Sequence, residues 1–382
     1  MDFSYSDDQK LLREQIVRFA KNELSPGALE RDEKHAFPHE LWLKCGEMGL
    51  QGMPVPEAYG GSNLDALSTA IGLEALGYGC EDGGLVFSVC AHLLACVVPI
   101  WKHGSEEQKR RYLPKLCKGQ LIAVNAMTES DSGSDAFAMK TRARPDGDDF
   151  IIDGVKTFSS NGPVANLAVL YARTDPNKGF VGGVTAFLIE EGTPGFSKGQ
   201  TFSKMGLRTC PIGELVFDNV RVPKSAVLGS VGGGGPIFNQ SMEWERTCLV
   251  GAHVGTMERL LEKAVEYAQT RKSYGQRIGQ YQAVSHRIAE MKVRLEAARL
   301  LAYRTATRLE TSKTVGLDAA MTKLFVSESL VETALDTVRV LGGYGIMTEY
   351  GVERALRDSI PGTLYSGTND IQRNIIARWL GL

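Results

Sequence analysis

The first 120 residues have apolar positions at helical spacing. In the segment LLREQIVRFAKNEL, the apolar residues Leu11, Leu12, Ile16 and Phe19 recur near the helical period of about 3.6 residues. Further helical runs follow, interrupted by turn clusters such as VPEAYGGSN. The pattern predicts an N-terminal helical domain over residues 1–120.

After Gly119 the apolar pattern changes from helical to strand-like. Short runs rich in β-branched and aromatic residues are separated by Gly, Pro, Asn and Asp; among them are DDFIIDGVKTF, ANLAVLYART, GVTAFLIEE and ELVFDNVRV. These runs predict a compact central β domain over residues 121–231.

A glycine run at 232–235, followed by Pro236, marks the next boundary, and long helical patterns return beyond it. One seam repeats at alternating intervals of four and three residues, which is typical of a helix packed on both neighbours in a bundle. It comprises Val284, Ile288, Met291, Leu295, Ala298 and Ala302. The pattern predicts a C-terminal helical bundle over residues 232–382, and so an α+β multidomain chain.

Composition narrows the function classes. The 43 basic and 45 acidic residues give a net charge of −2, without the basic field that nucleic-acid binding needs. The seven cysteines are widely spaced and include no CxxC pair, which argues against a disulfide framework and a zinc site and favours a cytoplasmic protein. His92, His103 and His253 lack metal-like spacing, so no metal site is predicted. We expect no secretory signal and no membrane span, since no run of about 18 uninterrupted apolar residues appears.

Three segments have the composition of binding sites. AMTESDSGSD at 126–135 offers hydroxyls and backbone N–H groups that can hold a heteroatom-rich ring or a phosphate. RKSYGQRIGQYQAVSHRIAEM at 271–291 places two cations before a glycine and a helix, and LGGYGIMTEYGVERALRD at 341–358 has paired glycines at a helix end. Each alone has a structural interpretation, namely a polar loop, a helix end with extended cations, or a glycine cap.

In this order across the chain, the three segments resemble the acyl-CoA dehydrogenase family. Residues 126–135 match the first family signature in full, and residues 342–358 match the second. The resemblance covers nearly the whole chain. It implies an N-terminal helical domain, a central β-barrel-like domain and a C-terminal four-helix bundle, with FAD held between the last two and a homotetramer built as a dimer of dimers.

The resemblance also implies which residues touch FAD. Around the flavin ring and substrate it places Met127, Thr128 and Ser134, with Phe158 and Ser160 at the other edge of the ring. A neighbouring subunit would supply Arg271, Tyr274, Gln282, Gly342 and Gly343 to the pyrophosphate and adenosine. Thr368 would meet the cofactor where the last helix starts, since helix N-termini suit anionic phosphate.

In this family a carboxylate removes the α-proton of a thioester while the β-hydrogen leaves as hydride for flavin N5. Most members supply the carboxylate from a Glu in YEGT, but here that sequence reads Tyr365-Ser366-Gly367-Thr368, and serine is a poor proton acceptor. A subset resembling isovaleryl- and long-chain acyl-CoA dehydrogenases has its Glu on the helix after the β domain. The MEWERT segment aligns Glu245 with that position.

Helix geometry limits the choice of base. Glu243 and Glu245 are two residues apart and so project about 200° from one another, which lets only one face the flavin. We predict Glu245 as the base; the alternative is that both are surface acids and that Glu243 pairs with Arg246. The predicted substrate-binding residues are Ser134, Arg246, Tyr365, Ser366 and Gly367.

The sequence leaves the substrate and the electron acceptor open. Met242 and Trp244 favour a short or branched acyl-CoA, while some members act on acyl or aminoacyl groups tethered to a carrier protein, as in prolyl desaturation. The chain could also be an oxidase-like or nitroalkane-type relative, or a non-catalytic FAD-binding paralogue. Phe158 replaces a Trp common beside the flavin edge, and Arg339 replaces Gln, Asp or Glu in the second signature, so transfer of electrons to an electron-transfer flavoprotein is an open expectation.

Overall fold

The computed structural model describes residues 4–312 and 314–382, so the first three residues of the predicted N-terminal domain and Lys313 lie outside the described residues. Helices come first, a β-sheet follows and helices return. The predicted order of a helical domain, a β domain and a helical bundle is confirmed. Strands begin at Ala123 and helices resume at Gly234, so the predicted limits at 120/121 and 231/232 fall in connecting segments; the domain limits themselves stay a prediction.

The N-terminal helices enclose an apolar centre. They are α1 (Asp7–Phe19), α2 (Ala28–Lys34), α3 (His39–Glu47), α4 (Ala66–Gly79), α5 (Gly83–His92), α6 (Val98–His103) and α7 (Glu106–Cys117). Helix α1 begins where it does because Ser6 and Gln9 exchange side-chain-to-backbone hydrogen bonds, which satisfy two free N–H groups.

The continuous helical run Gly83–His103, which joins α5 and α6 through a π-helical turn, is long and apolar enough to cross a membrane by length and composition. Of its most apolar window, 89% is buried inside the protein, as is typical of a core helix. The sequence does not show it as one uninterrupted apolar run, because Ser88 and His92 lie among its apolar residues.

An eight-stranded sheet forms the middle of the chain. Its strands are β1 (Ala123–Ala126), β2 (Arg142–Asp146), β3 (Asp149–Ser160), β4 (Leu167–Arg173), β5 (Val184–Glu190), β6 (Phe196–Thr201), β7 (Ile212–Pro223) and β8 (Val227–Leu228). The order is β6-β7-β3-β2-β4-β5-β8, with β1 parallel to β4. Strand β3 pairs with β7, and this ladder shifts register between Lys156 and Ser159.

The C-terminal helices form the bundle. They are α8 (Gly234–Trp244), α9 (Val250–Thr270), α10 (Gln282–Thr311), α11 (Gly316–Leu341), α12 (Val352–Ser359) and α13 (Asn369–Trp379). A short hairpin of β9 (Lys272–Ser273) and β10 (Gln276–Arg277) precedes α10. The predicted seam of α10 is buried from Met291 to Ala302, whereas Val284 and Ile288 are partly buried at its edge.

Close packing of α4 against α9 joins the N-terminal helices to the bundle. A Cβ at Gly255 would lie 1.9 Å from the backbone oxygen of Glu74, and one at Gly251 would lie 2.4 Å from that of Ala70. Only glycine permits this backbone-to-backbone contact, because any side chain would force the helices apart. The contact fixes the start of α9, where the candidate site lies.

Candidate active site

Glu245 begins a single π-helical turn, Glu245–Leu249, inserted between α8 and α9. Such turns alter the direction of the following side chains and are frequent at functional sites. Glu245 is only 6% exposed, whereas Glu243 is half-buried and accepts a hydrogen bond from Thr314 Oγ1 at 3.3 Å. The two carboxylates therefore point to different surroundings, as their spacing implied.

The Glu245 carboxylate has a neutral partner. Ser366 Oγ donates to Glu245 Oε1 at 2.5 Å, and in the described part of the chain Glu245 forms no ion pair. Burial raises the pKa of Glu245 above its usual value, while the hydrogen bond from Ser366 and the nearby positive charges of Arg246 and Lys323 oppose the rise. A buried carboxylate with a raised pKa is a better proton acceptor than a surface one.

Arg246 points toward the loop that contains Ser366. Its Nε donates to the backbone oxygen of Ser366 at 2.8 Å. Within residues 4–312 and 314–382 it makes no ion pair with Glu243, so the alternative of an exposed Glu243–Arg246 pair is not what the structure contains. Burial lowers the pKa of the Arg246 guanidinium. The structure thus brings Glu245, Arg246 and Ser366 together.

Lys323 is a residue of this site that is absent from the sequence-based predictions. It is 2% exposed, and its Nζ donates to the backbone oxygen of Gly367 at 3.0 Å and to Asn369 Oδ1 at 2.8 Å. Burial and the neighbouring Arg246 charge lower the pKa of Lys323 to about 7. The signal in the sequence is a lone lysine in the apolar stretch AAMTKLFV, since buried lysines without a local role are rare.

Tyr365 is part of an aromatic floor, which we define as Phe87, Tyr365 and His253. The rings of Phe87 and Tyr365 stack with centroids 4.5 Å apart, and the Tyr365 hydroxyl hydrogen-bonds His253 Nε2 at 2.6 Å. All three residues line a cavity of about 80 Å³, together with Cys90 and Leu249. Burial lowers the pKa of His253 to about 3, so it stays neutral near neutral pH. The sequence predicts a structural role for His253, and the structure gives it this hydrogen bond.

A buried ion pair shapes the loop after β1. Lys156 Nζ lies 2.8 Å from Glu129 Oε1 and donates to the backbone oxygen of Met127 at 2.9 Å. The backbone oxygen of Thr128 accepts from Thr157 N at 2.8 Å. Burial lowers the pKa of Lys156 to about 8, against the attraction of Glu129. Neither Lys156 nor Glu129 stands out in the sequence, although both lie inside the segments quoted above.

Phe158 lies on the register shift of β3. It has a left-handed φ of 50° and is 60% exposed, which is unusual for a phenylalanine in a strand. Ser160 ends the same strand, and Ser134 is exposed in the loop after β1. Ser132 Oγ and Ser159 Oγ are buried and have no hydrogen-bond partner among the described residues. An exposed aromatic ring at this irregularity of the strand, next in sequence to the unpaired Ser159 hydroxyl, fits a site for a planar ring rich in heteroatoms.

The second predicted group of cofactor residues lies where α9, the hairpin and the end of α11 meet. Arg271, Gly342 and Gly343 line a cavity of about 520 Å³ there. Gly342 has a φ of 61°, and apart from the chain neighbours no atom of the described residues lies within 4 Å of a Cβ built on Gly342 or Gly343. A guanidinium beside open backbone fits a pyrophosphate.

Two further members of this group lie outside that cavity. Tyr274 is 98% exposed and Gln282 lies at the start of α10. Arg339, the departure from the second signature, pairs with Asp336 at 3.2 Å and does not line the cavity. The predicted cofactor residues therefore form two separate groups within one chain.

Thr368 begins the last helix. Its Oγ1 accepts from Ile371 N at 3.3 Å, so Thr368 is the N-cap of α13 and lies where the last helix was expected to start. Among the described residues, no group of three or more His, Cys, Asp or Glu side chains is placed to hold a metal ion. The seven cysteines are free and buried.

Comparison with known proteins matches three domain families along the chain. They are the acyl-CoA dehydrogenase N-terminal domain at residues 6–120, the middle domain at 125–220 and the C-terminal domain at 232–381. An L-prolyl-(peptidyl-carrier protein) dehydrogenase of a Serratia species is 45% identical, covering 100% of this chain and 99% of that protein.

Two solved structures have the same fold over the full length. One is described as an FAD complex of PigA, with a TM-score of 0.98, 45% identity and complete coverage of both chains. The other is described as the prolyl acyl carrier protein oxidase AnaB, with a TM-score of 0.97, 43% identity, and coverage of 99% of this chain and 100% of that one.

Proposed function

Since the chain belongs to the acyl-CoA dehydrogenase family, we propose that its substrate is an L-prolyl group held as a thioester on a carrier protein, with Glu245 as the base. The protein is an FAD-dependent oxidoreductase that acts on the CH–CH bond of an acyl thioester. FAD, when bound, accepts the hydride that leaves the substrate. The chain's own task is to orient the thioester and accept the proton.

The observation that carries the proposal is the buried Glu245 carboxylate. It has no ion-pair partner among the described residues, its pKa is raised by burial, and it lies beside the loop where Ser366 offers no base. Burial makes the charged carboxylate less stable, so Glu245 has a greater tendency to accept a proton than an exposed carboxylate has. It also argues against a non-catalytic paralogue, because the chain still provides a base.

The size of the acyl group follows from the aromatic floor. Tyr365 directly precedes Ser366, the hydrogen-bond partner of Glu245, and its ring stacks on Phe87 where both rings line the cavity of about 80 Å³. We infer that this stack limits the space for the acyl group. A straight acyl chain would have to separate the two rings, while a five-membered ring would rest on them. The carrier-protein handle is supported by the prolyl-carrier dehydrogenase and oxidase relatives.

Polar groups around this floor would hold the thioester. We assign substrate contacts to Ser134, Arg246, Ser366 and Gly367, and flavin contacts to Met127, Thr128, Phe158 and Ser160. Carbonyl polarisation would come from backbone N–H groups and the cofactor, since these stabilise negative charge on the thioester oxygen. Thr368 would add the N-terminus of α13 to the cofactor site.

A homotetramer in the cytoplasm completes the proposal. The cavity at Arg271, Gly342 and Gly343 is lined by none of the residues near Glu245, so it would serve the FAD of a neighbouring subunit, together with Tyr274 and Gln282. Light scattering of the FAD-bound protein measures its mass in solution and so tests for the tetramer. A monomer that retains FAD and full activity would rule it out.

The function is tested by anaerobic mixing of the purified, FAD-loaded protein with a panel of thioesters. The panel contains L-prolyl carrier protein, the same carrier with short straight acyl groups, and short, branched and long acyl-CoAs. We expect rapid flavin bleaching with the prolyl carrier and slow or no bleaching with the others. Bleaching by an acyl-CoA at an equal or higher rate would overturn the substrate assignment.

Two variants on the same helix test the base. E245Q should retain FAD and lose bleaching, because the amide cannot accept the proton. E243Q, with a side chain that contacts Thr314 instead, should bleach at the rate of the unmodified protein. Undiminished bleaching by E245Q would remove Glu245 from this role.

The electron acceptor has two candidates. A relative described as an oxidase favours dioxygen, whereas the exposed Phe158 ring, 5.5 Å from Phe202, offers an apolar surface to an electron-transfer flavoprotein. We propose the protein acceptor, because the ring is accessible from outside. Reoxidation of the bleached enzyme by air at the rate of turnover would decide for dioxygen.

A further inference from the structure

Ser366 has an uncommon backbone conformation for its residue type. Its φ is +57°, in the left-handed region that only glycine enters without strain, and Gly367 follows with a φ of +82°. A serine held there needs surroundings that fix it, and such strained positions concentrate at functional sites.

Four hydrogen bonds fix the two backbone oxygens of this turn. The oxygen of Ser366 accepts from Arg246 Nε at 2.8 Å and from Gln372 Nε2 at 3.2 Å. The oxygen of Gly367 accepts from Lys323 Nζ at 3.0 Å and from Gln372 Nε2 at 2.8 Å. The donors come from the π-helical turn, α11 and α13, so three separate elements determine where the Ser366 side chain points.

We propose that Ser366 is a positioning residue for Glu245: the clamped turn aims its hydroxyl at Oε1 and holds the carboxylate in one orientation toward the substrate. This inference rests on the proposed role of Glu245 as the base. Among the described residues only Oε1 of this carboxylate accepts a hydrogen bond, so we assign the α-proton to the second oxygen, Oε2.

The hydroxyl also affects ionisation, because it donates to the charged form of the carboxylate and so favours that form. The groups that face Glu245 from the surrounding elements are Arg246 and Lys323, the thiols of Cys90 and Cys96, and the phenols of Tyr171 and Tyr365. Burial raises the pKa of both thiols and both phenols, so these stay neutral around neutral pH. The two cations act through space, and Ser366 is the direct donor.

The test is the pH dependence of the first anaerobic flavin reduction in S366A and S366G. Both variants remove the hydroxyl, but S366G also relieves the left-handed strain, so the pair separates a hydroxyl effect from a backbone effect. We expect the acidic limb of the rate profile to move up by about one to two pH units in both variants, since a hydrogen bond to a charged group is worth that much. At a fixed pH on the acidic side of this limb, each variant should then react about ten- to a hundredfold more slowly than the unmodified protein.

T363A is the matched control in the same loop. Within the described part of the chain the Thr363 hydroxyl bonds only the backbone oxygen of Ile360, and its removal should leave the limb in place. Retained FAD absorbance and circular dichroism report that each variant is folded. An unmoved limb in both Ser366 variants, with or without a uniformly lower rate, overturns the inference. If E245Q still bleaches, the base assignment itself fails; if E245Q is inactive and the limb is unmoved, only the positioning role fails.

Discussion

The aromatic floor makes a prediction about acyl selectivity that can be worked out from the structure. In F87A, the stack against Tyr365 is lost and the cavity of about 80 Å³ that both rings line is enlarged. Truncation of a core Phe to Ala costs about 3–5 kcal/mol, and because Phe87 is half-buried we expect about 2–3 kcal/mol, including the lost ring stack. The enlarged space should admit straight acyl chains that the floor excludes.

The expected change in acyl selectivity follows from the free energy of apolar contacts. One methylene that gains a place in the cavity is worth about 1–3 kcal/mol, or roughly ten- to a hundredfold in rate. If F87A makes room for one methylene, the preference for prolyl over a four- to six-carbon chain should fall by about that factor. The assay compares anaerobic flavin reduction with prolyl and straight-chain thioesters on the same handle, while urea unfolding gives the stability loss.

F196A is the matched control for F87A. Phe196 is half-buried and stacks on Phe217 with centroids 4.9 Å apart, in the β domain and outside the lining of the cavity. It should lose a similar free energy of unfolding without any change in acyl preference. If F87A unfolds more easily but keeps the selectivity of the unmodified protein, the floor does not limit the acyl group.

Two further predictions concern buried lysines. E129Q removes the carboxylate partner of the buried Lys156, so it should lower the free energy of unfolding in urea by about 3–5 kcal/mol and weaken FAD binding. The control D131N breaks an exposed pair with Lys140 and should lower the free energy of unfolding by less than about 1 kcal/mol. Equal losses in the two variants would contradict this prediction. The pKa of Lys323 is about 7 in the folded protein against 10.5 when unfolded, so between these values the unfolded chain binds more protons and stability from this group rises with pH. K323M should therefore show a smaller gain in unfolding free energy between about pH 7 and about pH 9 than the unmodified protein, and an identical gain would show that Lys323 does not titrate there.

Periodicity along the sequence locates the helices and strands, because burial of one helix face or one sheet face imposes the spacing. The predicted seam of α10 is confirmed from Met291 to Ala302. The apolar pattern does not identify Gly83–His103 as one long apolar helix, because the polar residues Ser88 and His92, which are buried in the core, interrupt it. The divergence of Glu243 and Glu245 follows from helix geometry alone.

The site depends on contacts that spacing along the chain does not encode. Lys323 reaches the turn at Gly367 across 44 residues, and Glu245 reaches Ser366 across 121. Neither the hydrogen bond that joins Glu245 to Ser366 nor the burial that raises the Glu245 pKa can be read from residue types in order. Both arise only when the π-helical turn before α9, α11 and the loop before α13 pack together.

By itself, then, the amino-acid sequence determined the order of the domains, since that order depends on local periodicity and residue type. Its resemblance to the acyl-CoA dehydrogenase family implied the motifs for FAD and the serine where most members have a base. The tertiary structure decided which carboxylate is buried, which neutral donor it meets and what closes the space beside it. The physical reason is that pKa values, strain and cavity shape depend on neighbours in space, and those neighbours come from distant parts of the chain.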